Sequence, residues 1–388
     1  METTTRRLTL DDWPEAVRLG LEGFGGKRPD ASPQAWPREG QTCWGTVVDD
    51  RMLARVTGNS YGSWFDGIEV PTLGVAGVTV QAEHRGQGLL APLFRALLDE
   101  TDAPISTLYP TAPGIYRGFG YELVGTLRTV EIPSVHLSGV RRPDGVTTRR
   151  ATEADLAAIH ACYTRWAAEQ NGPLTRTGPL FDLADTLTWF TGATVAVDTE
   201  DHVVGYLLWH RGTGYDESST ISVDDLVADN VEAASALWRV LGSFASVVGQ
   251  VRVRTSGDDT TRLVLPTAAW REVKTNPYML RVLDVPRAFS LRRSSPALRA
   301  DLAFGVRGDR LGLIDGDFSL HVADGEVTCA PATGADRVYT PAGIALAYAG
   351  VQSSANLRRA GLLVGPTDDD PTWDVLLGGR PFHIRDYF

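Results

Sequence analysis

Residues 77 to 90 read Gly77-Val78-Thr79-Val80-Gln81-Ala82-Glu83-His84-Arg85-Gly86-Gln87-Gly88-Leu89-Leu90, a β-rich run that passes through Arg-Gly-x-Gly into a helical pattern. Glycines at such a turn let backbone N–H groups approach a pyrophosphate, and the helix N-terminus behind them adds unsatisfied donors and a positive dipole end. Arg85 adds charge or buttresses the loop. Leu89, Leu90, Leu93, Phe94, Leu97 and Leu98 form the apolar face expected of a helix on a sheet, and Pro92 limits how early that helix begins. Further on, residues 108–121 combine a strand, a short helix around Tyr116 and a glycine-aromatic turn. A phenol with a pKa of about 10 is protonated at neutral pH and can donate to a leaving group, although Tyr116 could instead be a packing aromatic. Other glycine patterns fail: Gly26-Lys27 is followed by Arg28 rather than Ser or Thr, which breaks a P-loop.

The elements that must position these residues recur. Arg6-Arg7-Leu8-Thr9-Leu10-Asp11-Asp12 sets Thr9 three residues before Asp12, a capping arrangement that opens a helix to about residue 23. The pattern returns 143 residues later at Arg149-Arg150-Ala151-Thr152-Glu153-Ala154-Asp155, which points to two copies of one domain. Residues 45–57, turning at Asp49-Asp50-Arg51, read as a hairpin and 72–81 as a strand. In the second copy, 194–197 with 203–209, then 219–226 and 231–247, supply a matching hairpin, strand and helix. Its junction reads Ser222-Val223-Asp224-Asp225-Leu226-Val227-Ala228-Asp229-Asn230, without Arg-Gly-x-Gly, and its three aspartates would repel a pyrophosphate. One phosphate ligand per chain is therefore expected. From about residue 286 come short strands, at 312–314, 318–322 and 325–329, then a helical segment at 341–348 and a strand-like ending, Arg385-Asp386-Tyr387-Phe388.

At 388 residues the chain exceeds one ordinary core, so two or three domains are expected. Its 43 % apolar and 22 % charged residues fit a soluble globular protein, with no long apolar span and no apolar leader at the start, so a cytoplasmic location is expected. The net charge of −11 argues against nonspecific nucleic-acid binding; it either attracts cationic partners or simply aids solubility. Cys43, Cys162 and Cys329 lie far apart and read as reduced core residues. No histidine pair has helical metal-site spacing, so no metal is expected.

Val78-x-Val80 followed by Arg85-Gly86-x-Gly88 at a strand-to-helix junction resembles the acetyl-CoA signature of the GNAT superfamily. Ile115-Tyr116 followed by Phe119-Gly120-Tyr121 is similar to the form found in the Eis (enhanced intracellular survival) family of multi-amine acetyltransferases, and Trp13-Pro14, Leu283-Asp284-Val285-Pro286 and the aromatic last residue fit it. The resemblance implies an α+β chain of two tandem GNAT-like α/β domains, 1–146 with the cofactor and 147–285 without it. A C-terminal α+β domain similar to sterol carrier proteins then covers 286–388.

Acetyl-CoA is the implied cosubstrate. Val78, Thr79 and Val80 match backbone contacts to the pantetheine and thioester, with the amide near Val80 stabilising the developing oxyanion. Arg85, Gly86, Gln87, Gly88, Leu89, Leu90 and Ala91 match the pyrophosphate loop, and Thr111 and Ala112 match further cofactor contacts. Tyr116 matches the general acid that protonates the departing thiolate. The chain's terminal carboxylate, on Phe388, matches the general base, with a merely docked final strand as the alternative. Phe24 and Trp36 match positions lining an acidic, aromatic amine pocket, and Trp36 could equally be core packing. Gly26 departs from the acidic residue of the aminoglycoside-modifying members, a loss for which Asp386 and the overall negative charge can compensate. The implied acceptor is a primary amine of a cationic molecule, first an aminoglycoside, next a lysine-bearing peptide or protein, and the implied assembly is a homo-hexamer. The non-enzyme alternative is a lipid-binding or assembly protein.

Overall fold

The computed structural model describes residues 3–388. The first repeat contains β1 (Thr4–Arg7), α1 (Trp13–Phe24), β2 (Gln41–Val48), β3 (Arg51–Phe65), β4 (Ile68–Val80), α2 (Leu90–Glu100), β5 (Ile105–Leu108), α3 (Pro113–Arg117) and β6 (Glu122–Pro133). The second contains β7 (Thr147–Arg150), α4 (Leu156–Ala168), α5 (Asp185–Thr188), β8 (Gly192–Val197), β9 (Val203–Arg211), β10 (Thr220–Ala228), α6 (Val231–Gly242), β11 (Gln250–Ser256) and β12 (Arg271–Val282). The remainder contains α7 (Val285–Ser290), β13 (Ala300–Val306), β14 (Gly316–Ala323), β15 (Glu326–Ala332), β16 (Val338–Tyr339), α8 (Pro341–Tyr348), α9 (Ser354–Arg359), β17 (Leu363–Val364) and α10 (Asp370–Leu377).

The repeated start has a repeated physical cause. Arg6 donates two bonds to Asp12, at 2.8 and 2.7 Å, and Arg149 two to Asp155, at 2.8 and 2.9 Å. Thr9 and Thr152 close capping boxes with the same aspartates, so each carboxylate satisfies orphan helix donors and a guanidinium together. This ion pair, returning at the repeat interval, is the local reason both first helices begin where they do.

Both repeats share one twelve-stranded sheet, ordered β1-β2-β3-β4-β5-β12-β6-β11-β10-β9-β8-β7. β12 of the second repeat pairs with β5 of the first, from Met279↔Leu108 to Val282↔Ile105, and β6 of the first pairs with β11 of the second along Pro133–Leu127. Each repeat thus lends its last strand to the other, and β6 and β12 pair at the centre. A boundary near 146 separates the repeats in sequence but does not separate two sheets. On α2, Leu93, Phe94, Leu97 and Leu98 are buried against Ala54, Val56, Leu73 and Val75 of the sheet, and burial of each large side chain contributes about 1.5–3 kcal/mol.

The C-terminal part is α+β, with a five-stranded sheet ordered β15-β14-β13-β16-β17 packed with helices. Asp284 caps α7 by accepting from the Arg287 amide at 3.0 Å, which explains the change of pattern near residue 286. The strand expected at 312–314 is instead a turn. There the Leu313 and Ile314 amides donate to the Asp309 carboxylate, at 2.8 and 3.2 Å, instead of to a neighbouring strand, and Gly312 takes φ +64°. The strand-like ending expected at 385–388 joins no ladder; a single bridge, Asn171↔Phe382, precedes it, and side-chain contacts hold the residues beyond. The helix expected to run to 247 ends at Gly242, where an added Cβ would stand 2.8 Å from the Leu137 carbonyl oxygen.

Candidate active site

β4 and β5 run parallel through four pairs, Thr72↔Ile105 to Val75↔Leu108. β5 then ends while β4 continues to Val80, so the strands open a wedge. Within that free stretch the β3–β4 register shifts between Thr57↔Ala76 and Arg55↔Thr79, a bulge with Gly77 at φ +58°. Only glycine takes this conformation without a Cβ penalty, and bulges of this kind re-aim backbone groups. Beyond Val75 the β5-facing edge of β4 carries no ladder partner among the described residues. The backbone of Val78, Thr79 and Val80 is thereby available to a thioester-bearing chain, and Thr79 Oγ1 steadies the bulge by donating to the Gly77 carbonyl at 2.9 Å.

At the wedge mouth Gly86 and Gly88 adopt φ +77° and +78°, and an added Cβ at either would meet no heavy atom within 4 Å. The turn is an open cradle. α2 begins just behind it, and its cap residue Leu89 gives no side-chain hydrogen bond, so first-turn amides remain for an anion. The loop is braced beneath: Arg85 Nε donates to the Val80 carbonyl at 3.4 Å and Gln87 Nε2 to the Glu83 carbonyl at 3.2 Å. Of the expected anion ligands Ala91 fits least, because its amide already donates to the Gly88 carbonyl at 3.3 Å. The remaining residues suit a pyrophosphate.

Ala112 caps α3, which leaves the end of β5 and carries Tyr116 into the core beside Phe94 and Tyr121, with ring centroids 6.0 and 6.4 Å away. Burial pushes the Tyr116 phenol above its usual pKa, while a hydrogen bond with Thr111 pulls the other way. The balance keeps the proton on the phenol at neutral pH. Tyr121 is a core residue, its hydroxyl 2.7 Å from that of Ser106.

The chain terminus reaches the same wedge. The Phe388 ring lies 5.1 Å from Tyr61 and 5.6 Å from Tyr109, and a Cβ on Gly74 would stand 2.8 Å from it. Gly74 belongs to the third of the four parallel pairs and Tyr109 directly follows the last, so the Phe388 ring sits near the vertex where β4 and β5 part. The Tyr109 hydroxyl donates to the Asp386 carbonyl at 2.6 Å. Nothing local in the sequence marks that bond.

Three expected pocket residues fare differently. Phe24 is 56 % exposed at the end of α1, next to Gly23, whose missing Cβ makes room for the Thr79 methyl. That places Phe24 beside the cofactor strand. Trp36 packs edge-on against Trp13, 5.6 Å away, over a small core of Leu8, Ala16, Leu19, Cys43 and Met52, a cluster separate from those holding Tyr116 and Phe388. Asp386 does not offer a free charge. Its carboxylate accepts from Arg176 Nε at 2.9 Å, on a guanidinium that it shares with Asp225, so the same group also holds the chain's last residues in place.

The second wedge, between β10 and β11, opens after Val223↔Val253. Its three aspartates are not bare: Asp224 pairs with Arg254 at 2.8 Å, Asp225 with Arg176 at 2.6 Å and Asp229 with Arg165 at 2.5 Å. Repulsion of a phosphate is therefore weaker than expected. The stronger obstacle is backbone: no glycine turn precedes α6, and the Asn230 side chain accepts from the Ala233 amide at 2.9 Å, using the helix N-terminus internally. Among the described residues no group of three or more His, Cys, Asp or Glu could hold a metal ion, and no helix is long and apolar enough to cross a membrane.

A strand wedge with a glycine bulge, opening onto a glycine cradle before an uncapped helix, defines a GNAT-type acyl-CoA site. Residues 4–124 match one family model described as an acetyltransferase (GNAT) domain, and residues 172–282 match a second of the same description. An uncharacterized N-acetyltransferase of Streptomyces griseus is 30 % identical over 324 residues, 75 % of each chain. Another, from Streptomyces avermitilis, is 28 % identical, and the match spans 62 % of this chain but 64 % of that protein. The crystal structure of a GCN5-related N-acetyltransferase from Kribbella flavida superposes with a TM-score of 0.84 at 27 % identity, covering 100 % of this chain and 98 % of that one. Eis1 from Mycobacterium abscessus shares the fold over 100 % of both chains, with a TM-score of 0.77 at 21 % identity. The chain belongs to the GNAT family of N-acetyltransferases, with two tandem GNAT domains in the arrangement also seen in Eis1.

Proposed function

We propose that the protein moves an acetyl group from acetyl-CoA to a primary amine of a cationic small molecule, an aminoglycoside being the first acceptor to test. The amine nitrogen bonds to the thioester carbonyl carbon and the C–S bond breaks. The β4 amide near Val80 donates to the carbonyl oxygen as charge gathers there. The Phe388 carboxylate accepts the amine's proton, and the Tyr116 phenol supplies one to the departing sulfur. The observation that carries this reading is the first wedge, which joins an unpaired bulged strand, an open glycine cradle and the chain's own terminus. The charge of −11 supports a cationic acceptor, which it would draw by long-range attraction.

By the Eis resemblance we also assign residues 286–388 to a sterol-carrier-like domain, and propose the cytoplasm as location and a homo-hexamer as assembly. Domain limits of 1–146, 147–285 and 286–388 go with that assignment. A lysine-bearing peptide is the second acceptor class. The deciding experiment is CoA release measured against a panel of aminoglycosides, polyamines and lysine peptides. Turnover with aminoglycosides or polyamines supports the reading, turnover only with peptides moves the acceptor to the second class, and none with any amine overturns it.

A further inference from the structure

The second repeat keeps a splayed strand pair but lacks the glycine turn that would make it a cofactor site. Chain segment 382–386 lies against that wedge. Ser256, at the end of β11, receives the tail: its hydroxyl is 3.1 Å from His383 Nδ1 and accepts from the Ile384 amide at 3.0 Å. Arg385 donates to the Arg254 carbonyl at 3.3 Å and to Asp259 at 3.2 Å, and stacks 4.7 Å over the Trp166 ring of α4. Asp386 is tied through Arg176 to Asp225 of β10.

The surroundings are shaped for this segment. A Cβ on Gly125 would come within 2.7 Å of the Phe382 ring, and one on Gly257 within 2.6 Å of the His383 ring. On Gly172 it would meet the His383 carbonyl oxygen and the Phe382 ring, both at 2.6 Å. Arg176 stands at the centre. It holds φ +55°, a costly conformation for a residue with a side chain, and its guanidinium lies 3.8 Å from the Tyr163 ring centroid between two carboxylates. Strain kept in place by two ion pairs and a stacked ring indicates a position selected for what it holds.

We infer that the second GNAT repeat is a binding site for the chain's own C-terminal segment, and that Arg176 is the positioning residue that delivers Phe388 to the first wedge. The tail is gripped at His383–Asp386 by the second repeat and at the Asp386 carbonyl by Tyr109 of the first, leaving two residues to reach the vertex. A cleft that binds acyl-CoA in one repeat binds peptide in the other. The inference deepens the terminal-base reading for kinetics, but the tail-holding itself stands apart from it.

Two readouts separate the two ideas. Carboxypeptidase Y trimming of the full-length chain, followed by intact mass, reads tail retention; steady-state CoA release reads chemistry. Arg176→Gln is expected to speed removal of residues beyond 383 by about tenfold or more, while Arg176→Lys, which keeps the charge, restores most of the resistance. Asp386→Asn should also speed trimming, though less, because Arg176 additionally pairs with Asp225 and stacks on Tyr163, and the double variant should trim no faster than Arg176→Gln alone. If Arg176→Gln does not fold, Asp386→Asn carries the test. Acetyl-CoA affinity should stay within about twofold throughout while kcat falls. Trimming at the wild-type rate in the folded variants overturns the inference. Faster trimming with unchanged kcat upholds the tail site and overturns the terminal-base reading alone.

Discussion

Tyr116 is placed so that burial serves its proposed chemistry, because a phenol held above its usual pKa keeps its proton through the neutral range. Tyr116→Phe should leave acetyl-CoA binding intact and lower kcat by roughly 10² to 10⁴, with the amine KM changing much less. Steady-state kinetics with calorimetric binding check this, and an unchanged kcat removes the phenol from the mechanism. Tyr116 and the Arg85-Gly86-Gln87-Gly88 turn were legible in the sequence because each motif is contiguous and its spacing reflects local backbone needs. The ties of Asp386 to Arg176 and of Tyr109 to Asp386 are not legible, for the opposite reason. The partner of Asp386 is 210 residues away and that of Tyr109 is 277 away, and no local spacing encodes such pairs.

Among the elements, the C-terminal segment has its own pH signature. His383 is buried, and desolvation, aided by nearby Arg385 and opposed by Asp259 and Asp258, lowers its pKa from 6.5 to about 4. Above 6.5 the imidazole is neutral both docked and free. Between 6.5 and about 4 the free chain binds a proton that the docked one does not, so docking stability falls as pH falls through that window, by on the order of 3 kcal/mol in all. Melting temperature followed from pH 7 to pH 4.5 should therefore drop for the native chain and change less for His383→Gln. Equal slopes would contradict the assignment. Strands and helices of both repeats were foreseen where hydrophobic alternation or a capping box marked them. The 312–314 turn was misread because an apolar alternation there is overridden by the Asp309 carboxylate, which takes the amides a strand would have used.

For the molecule as a whole, the exchange of β6 and β12 joins the two repeats in one sheet, and the ion pairs Arg281–Asp309 and Arg292–Asp66 tie the third part to them. Arg281 of β12 is fully buried, donates to the Phe119 carbonyl in the first repeat, and pairs with Asp309 at 2.8 Å. Asp309→Asn leaves that guanidinium uncompensated and should cost about 3–5 kcal/mol in denaturant unfolding, while adding Arg281→Met to Asp309→Asn, which keeps an amide oxygen for the Leu313 and Ile314 amides, should recover part of the loss. A single Asp309→Asn with unchanged midpoint would refute this. The duplication was readable from the Arg-Thr-Asp spacing, whereas the strand exchange was not, since pairing order in a sheet is set by packing between segments distant in sequence.

One working wedge beside one closed to cofactor fixes how much acetyl-CoA the chain can hold, which titration calorimetry reads. The native chain should bind close to one molecule per chain, and Gly86→Asp with Gly88→Asp should abolish binding, because the new carboxylates fill and charge an otherwise open cradle. A stoichiometry near two, or undiminished binding in the double variant, would contradict the account.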